Sequence, residues 1–229
     1  MEFPTRGWSL EEAWLACADL YCNKVKALVS LARNDVEHEI LFCLLGGFGV
    51  AYEHSRSAAK IVADLEPFAE SWDDDRLFEA IASTLSRPQF EPPRRDGTLR
   101  RYRFPQRKAR LIVEARRWIR QHAPLDERLQ TPSSAKERRQ FLCGCPGIGP
   151  KTASWLLRNL GWGEQLAILD VHLVRALSDA GRIGRDVQLP RDYEAIEDAF
   201  LEWCRELGAP PAAFDLFAWE WQRGSLLVR

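Results

Sequence analysis

An all-α fold of about ten helices is predicted for this chain, and three observations carry the prediction. Apolar residues recur at helical spacing in one segment after another. Most segments open on a Ser or Asp cap and stop at glycine or proline. No stretch alternates apolar and polar residues for long, with Leu166 to Leu169 the nearest approach to a strand.

In chain order, Ser9 and Glu12 form a capping box that opens an amphipathic helix through about Arg33, with Leu10, Trp14, Ala18, Tyr21, Val25 and Leu28 on one face. Asp35 is placed to cap an apolar segment ending at Gly46-Gly47. Ser55 is placed to start a helix through Leu65, and Asp73 to Leu85 reads as a shorter one. RRDGTLRRYRF reads as an irregular loop. After it, Pro105 begins a helix with Leu111, Ala115 and Trp118 inward and Arg107, Arg110 and Arg117 opposite. Ser133 or Ser134 caps a helix through Leu142, and the next helix, TASWLLRNL, stops at Gly161. Asp170 caps a helix through about Ala180 and Asp192 one through Leu207. Pro210-Pro211 precede a final short helix ending near Gly224.

The 229 residues are 46% hydrophobic and 28% charged, the composition of a soluble globular protein with a substantial core. A net charge of −1 excludes a histone-like polycation, so any electrostatic attraction must be local. Arg94 to Arg120 supplies it, with eleven Lys or Arg against Asp96 and Glu114 alone. The longest weakly polar run, Ile40 to Tyr52, falls far short of the ~20 residues that cross a bilayer, and the start lacks a signal-type apolar stretch, so a cytosolic protein without membrane contact is expected. Six cysteines form no CxxC pair and match no histidine spacing, so no metal is expected. Cys17 and Cys43 read as core residues, and Cys143 and Cys145 as packing rather than chemistry.

The sharpest local signal is Gly144-Cys145-Pro146-Gly147-Ile148-Gly149-Pro150-Lys151 between two helices. Gly147 and Gly149 allow a tight turn, and Pro150 pre-sets the helix that follows. Amides at such a helix start form a site for a nucleic-acid phosphate, read without sequence preference. A P-loop is excluded by register and by the helix that precedes the glycines. Lys151 stands in the first turn, where the positive helix end favours the neutral amine able to attack a sugar C1′. Nineteen residues later Asp170 combines a capping role, which keeps a carboxylate ionised, with the capacity to stabilise positive charge on a deoxyribose. Chain geometry permits the two to meet.

The string CPGIGPKTA followed by ILDVH resembles the helix–hairpin–helix DNA glycosylases. With FPQRKARLIVEARRWI, GIGPKTASWLLRNLGW, LAILDVHLVRAL and DLFAWEWQRG, the chain is most similar to the compact archaeal-type 8-oxoguanine DNA glycosylase/lyases over roughly Glu39 to Arg229. Leu44 to Ser57 departs from the polar-rich segment usual there. The resemblance implies a two-lobed fold: residues 1–34 pack on a helical lobe of residues 35–132, residues 133–190 bear the hairpin, and residues 191–229 return to the first lobe and the base pocket. It implies Lys151 as Schiff-base nucleophile and Asp170 as its partner. Gly147, Ile148, Gly149, His172, Arg101 and Arg107 would lie at the DNA backbone, and Trp219, Trp221 and Arg229 at the base. The expected partner is double-stranded DNA carrying a damaged base, bound by a monomer without cofactor. Two other readings stay open: excision of another damaged base, and a non-catalytic DNA-binding protein that only holds phosphate. Retention of both Lys151 and Asp170 argues against the second, because phosphate holding needs neither.

Overall fold

The structure is a computed structural model, and it describes residues 7–32, 36–47 and 49–227, with side chains through residue 224. Among the described residues there are eleven helices and no strand. They are α1 (Leu10–Ala32), α2 (Val36–Leu45), α3 (Tyr52–Ala63), α4 (Asp74–Ser86), α5 (Pro105–Gln121), α6 (Leu125–Gln130), α7 (Ala135–Leu142), α8 (Pro150–Asn159), α9 (Val171–Asp179), α10 (Tyr193–Glu206) and α11 (Pro211–Leu227). None is long and apolar enough to cross a membrane.

Local chemistry accounts for most helix starts. Ser9 N–H donates to Glu12 Oε2 at 2.8 Å while Glu12 N–H donates to Ser9 Oγ at 3.2 Å, the reciprocal bonding of a capping box. Asp73 accepts from Asp75 and Arg76 at the start of α4, and Ser134 accepts from Glu137 at the start of α7. Two starts differ from expectation. Ser55 lies inside α3, which Ala51 opens without a side-chain cap, and its hydroxyl donates back to the Ala51 and Tyr52 carbonyls. Asp192 precedes α10 but makes no capping bond, because its carboxylate accepts from Gln188 N–H and from Arg191. Asp35 lies outside the described residues. The short helix α6 was not anticipated, and α11 runs past Gly224 to Leu227.

The chain divides into two compact units, Met1–Arg33 with Leu157–Arg229, and Asn34–Leu156. This division differs from the expected boundaries at residues 132 and 190. In the first unit α1 packs on α11: Trp14 meets Phe214 and Phe217 edge-on at 5.2 and 5.5 Å, and Tyr21 meets Phe217 at 5.1 Å. Leu173, Leu177, Ile196, Phe200 and Trp203 complete that core. In the second unit α2 packs on α3 and α4 on α5, burying Ile40, Leu41, Leu44, Leu45, Ile81, Leu85 and Ile112.

Residues 90–100 are more ordered than an irregular loop. Phe90 and Arg100 form an antiparallel bridge, and Asp96 closes the turn through the Thr98 N–H and hydroxyl, with Gly97 at φ +81°. On α5 the inner face is Ala109, Ile112, Val113, Ala115, Arg116 and Ile119, while Leu111 and Trp118 are half-buried. Arg107, Arg110 and Arg117 are exposed, as expected. Arg116 is the exception: 1% exposed, it donates to Asp74 Oδ1 at 2.6 Å and to the Ala69 and Trp72 carbonyls.

Candidate functional site

In the second unit the hairpin is built by local bonding. The N–H groups of Gly144, Cys145 and Ile148 donate to Phe141, Leu142 and Cys145 carbonyls, all at 3.0 Å, and Ala153 N–H donates to Gly149 O at 2.9 Å. Gly147 is required twice over. Its φ of +85° is left-handed, and a β-carbon there would stand 3.0 Å from Leu44 Cδ2 and 3.3 Å from Leu111. Gly149, in contrast, is exposed and has open space where a side chain would begin. Ile148, expected at the DNA backbone, has a buried side chain and an N–H bonded within the turn, to the Cys145 carbonyl. Arg139 of α7 donates to Ser154 of α8, which links the two helices of the hairpin.

Lys151, half-buried in the first turn of α8, carries its Nζ over the Trp155 ring at 5.3 Å from the centroid. The Trp155 ring meets Phe42 edge-on at 5.0 Å and lies against Gly46, where a β-carbon would approach Trp155 Cζ3 to 2.8 Å. The backbone of Gly46 is held in turn, because Lys108 Nζ donates to Gly46 O at 2.8 Å and to Leu44 O. Burial pushes the Lys108 amine down to about 8. Tyr102 Oη donates to Leu45 O and Arg103 to Gly49 O. Sequence reasoning placed Lys108 and Arg103 in the basic strip expected to supply local electrostatic attraction. The one available signal for Lys108 was its position directly before the apolar residues Ala109, Ile112 and Val113. Of the strip, Arg101 and Arg107 are exposed. Burial raises the thiols of Cys143 and Cys145, the latter to about 12, in keeping with packing roles.

In the first unit Asp170 caps α9, its Oδ1 accepting His172 N–H at 2.8 Å and Leu173 N–H at 3.0 Å. Its residue type and place meet the sequence expectation. The His172 ring stands edge-on to Trp219 at 6.4 Å, and Arg223 lies over Trp219 at 4.4 Å. Trp219 thus adjoins the helix that Asp170 opens. Trp221 instead packs on Phe217 at 5.9 Å. Arg229 lies outside the described residues.

The family model described as 8-oxoguanine DNA glycosylase matches residues 23–209. The chain belongs to that family. A relative named 8-oxoguanine DNA glycosylase/AP lyase from Fusobacterium nucleatum is 30% identical over 197 residues, 84% of this chain and 82% of that one. Another of the same name from Metallosphaera sedula is 34% identical over 128 residues, 55% of this chain and 60% of its own length. Among solved structures, the 8-oxoguanine glycosylase/lyase of Methanocaldococcus jannaschii in complex with a 15mer DNA containing 8-oxoguanine shares the fold, with a TM-score of 0.69, 23% identity and 90% of each chain covered. Among the described residues no group of three His, Cys, Asp or Glu could hold a metal ion.

Proposed function

We propose that this chain is a bifunctional DNA repair glycosylase that releases an oxidised purine, 8-oxoguanine above all, and cleaves the resulting abasic site by β-elimination. The observation that carries the reading is the hairpin itself: within a member of this family, a lysine stands in the first turn of α8 directly after Gly147 and Gly149, and an aspartate opens α9. A base paired in a duplex is out of reach, so the nucleotide is flipped out of the stack first.

Lys151 adds through its neutral amine to C1′ as the bond to the base breaks. The base departs with the bonding electrons and takes up the proton that the amine sheds. The Asp170 carboxylate, fixed by two backbone amides, stabilises the positive charge that builds on the sugar. Opening of the sugar ring gives an imine at Lys151. Loss of a C2′ proton with departure of the 3′ phosphate then breaks the strand. Exposed Arg101 and Arg107 and the amides of Gly147 and Gly149 hold the backbone phosphates. Trp219, with the terminal Arg229, shapes the base pocket by stacking and by hydrogen bonds that an undamaged guanine leaves unmade. The protein acts as a monomer on damaged double-stranded DNA in the cytoplasm.

Borohydride reduction during reaction with a duplex carrying 8-oxoguanine tests the assignment. A covalent protein–DNA adduct is expected from the wild type and none from Lys151→Gln. An undiminished adduct in that variant refutes the role of Lys151.

A further inference from the structure

Residues Leu166–Leu169 lie in neither a helix nor a sheet, so their backbone polar groups must find partners elsewhere. Two carboxylates and a phenol supply them. Ala167 N–H donates to Glu197 Oε1 at 2.9 Å, Ile168 N–H donates to Asp215 Oδ2 at 3.0 Å, and Tyr193 Oη donates to Ala167 O at 3.0 Å. Glu197 is fully buried and Asp215 is 4% exposed. The other oxygen of Asp215 receives Arg158 NH1 at 3.0 Å, and Asn159 Oδ1 accepts from Arg158 Nε and NH2 at 3.1 Å each.

Burying carboxylates is costly, and a fold that needed only to fill this volume could use apolar residues, as its neighbours Leu169, Leu173, Ile196 and Phe214 do. The penalty is visible at Asp215. Its carboxyl is pushed up to about 6 on balance: burial raises it most, Arg158 and the Ile168 amide draw it part of the way back, and the nearby Asp170 charge adds to the rise. What the two carboxylates hold is the approach to Asp170. The Asp170 N–H itself bonds Ile168 O at 2.7 Å, so the residue that carries the charge hangs directly from the tethered segment.

We infer that Asp215 and Glu197 are positioning residues, which fix the Asp170 carboxylate for base release by holding the Ile168 and Ala167 amides. The inference rests on the reading that Asp170 acts at the sugar.

Two double variants separate positioning from mere support, because both remove the ion pair and only one removes the acceptor. Arg158→Met with Asp215→Asn keeps an oxygen for the Ile168 amide; Arg158→Met with Asp215→Leu does not. In single-turnover release of 8-oxoguanine from a duplex, the asparagine variant should stay within about threefold of wild type, and the leucine variant should be about 10- to 100-fold slower, with DNA affinity unchanged in both. Combined with Asp170→Asn, the two should become equally slow. Equal rates of the two double variants in the presence of Asp170 overturn the inference alone. Full base release by Asp170→Asn itself overturns the reading of Asp170, and the inference with it. If the leucine variant does not fold, Glu197→Met against Glu197→Gln makes the same comparison at Ala167, with the same outcomes.

Discussion

Gly46→Ala places a methyl group against Trp155 and so tests how the lysine is held. The new β-carbon would stand 2.8 Å from Cζ3 and 3.1 Å from Cη2 of the ring, about 0.6 Å inside the ordinary contact limit of about 3.4 Å at the nearer atom. The ring cannot retreat freely, since Phe42 stands edge-on at 5.0 Å, and Gly46 cannot retreat while Lys108 holds its carbonyl. Overpacking of this kind costs about 1–2 kcal/mol, so the melting temperature should fall by roughly 3–6 °C for a chain of this length. Trp155 also carries the Lys151 amine on its face, and a displacement of reacting groups approaching 1 Å costs up to about 100-fold in rate. We expect imine formation at a preformed abasic site, followed by timed borohydride quenching, to slow by about tenfold or more at unchanged DNA affinity. A variant with the lowered melting temperature and an undiminished trapping rate would show that Trp155 has no hold on Lys151.

Three further outcomes follow from the geometry. Replacing Arg101 and Arg107 together by alanine should flatten the log–log salt dependence of duplex binding by up to about 1.8, and an unchanged slope would mark them as a solvated face. Asp74→Ala leaves the 1%-exposed Arg116 without its charged partner and should cost about 2–4 kcal/mol, less than for a fully enclosed pair because Asp74 is 28% exposed. Arg117→Ala, removing a 59%-exposed partner of the same carboxylate, should cost far less; similar losses in urea unfolding would contradict the distinction. With the Cys145 thiol pushed up to about 12, alkylation of the native protein at pH 8 should leave Cys145 unmodified, and its rapid labelling would contradict a packing role.

What the sequence disclosed was local. The Ser9 box, the caps at Asp73, Ser134 and Asp170, and the left-handed turn at Gly147 each depend on residues within a few positions, and the structure forms each of them. Ser55 and Asp192 misled because a cap depends on backbone conformation as well as residue type. Ser55 falls where the helix has already begun, and the Asp192 carboxylate turns back toward Gln188. The long-range partners were hidden. Nothing near Arg116 reveals that Asp74 lies 42 positions earlier, or that Lys108 reaches carbonyls 62 and 64 positions away. Lys151 and Asp170 were legible as candidates because the strings that hold them, CPGIGPKTA and ILDVH, carry the family resemblance. The residues that hold them in place, Trp155, Glu197 and Asp215, were not, because aromatic and buried acidic residues carry no periodic mark.

Tyr102, Arg103 and Lys108 all grasp main-chain oxygens, at Leu45, at Gly49, and at Leu44 and Gly46. Main-chain oxygens are the same whatever side chain a position carries, so mooring and surface chemistry over this stretch are separable. The hold therefore does not run through the side chains of Leu44 and Leu45, whereas Gly46, where Trp155 closes the space, and Gly49, at φ +78° with Arg103 NH1 2.5 Å from a would-be β-carbon, leave no room for one. The stretch is thus placed beside the hairpin, where Leu44 meets Gly147, through its backbone. Such a mooring leaves the side chains at its open positions free to change while the framework under Lys151, with Trp155 lying on Gly46, stays fixed.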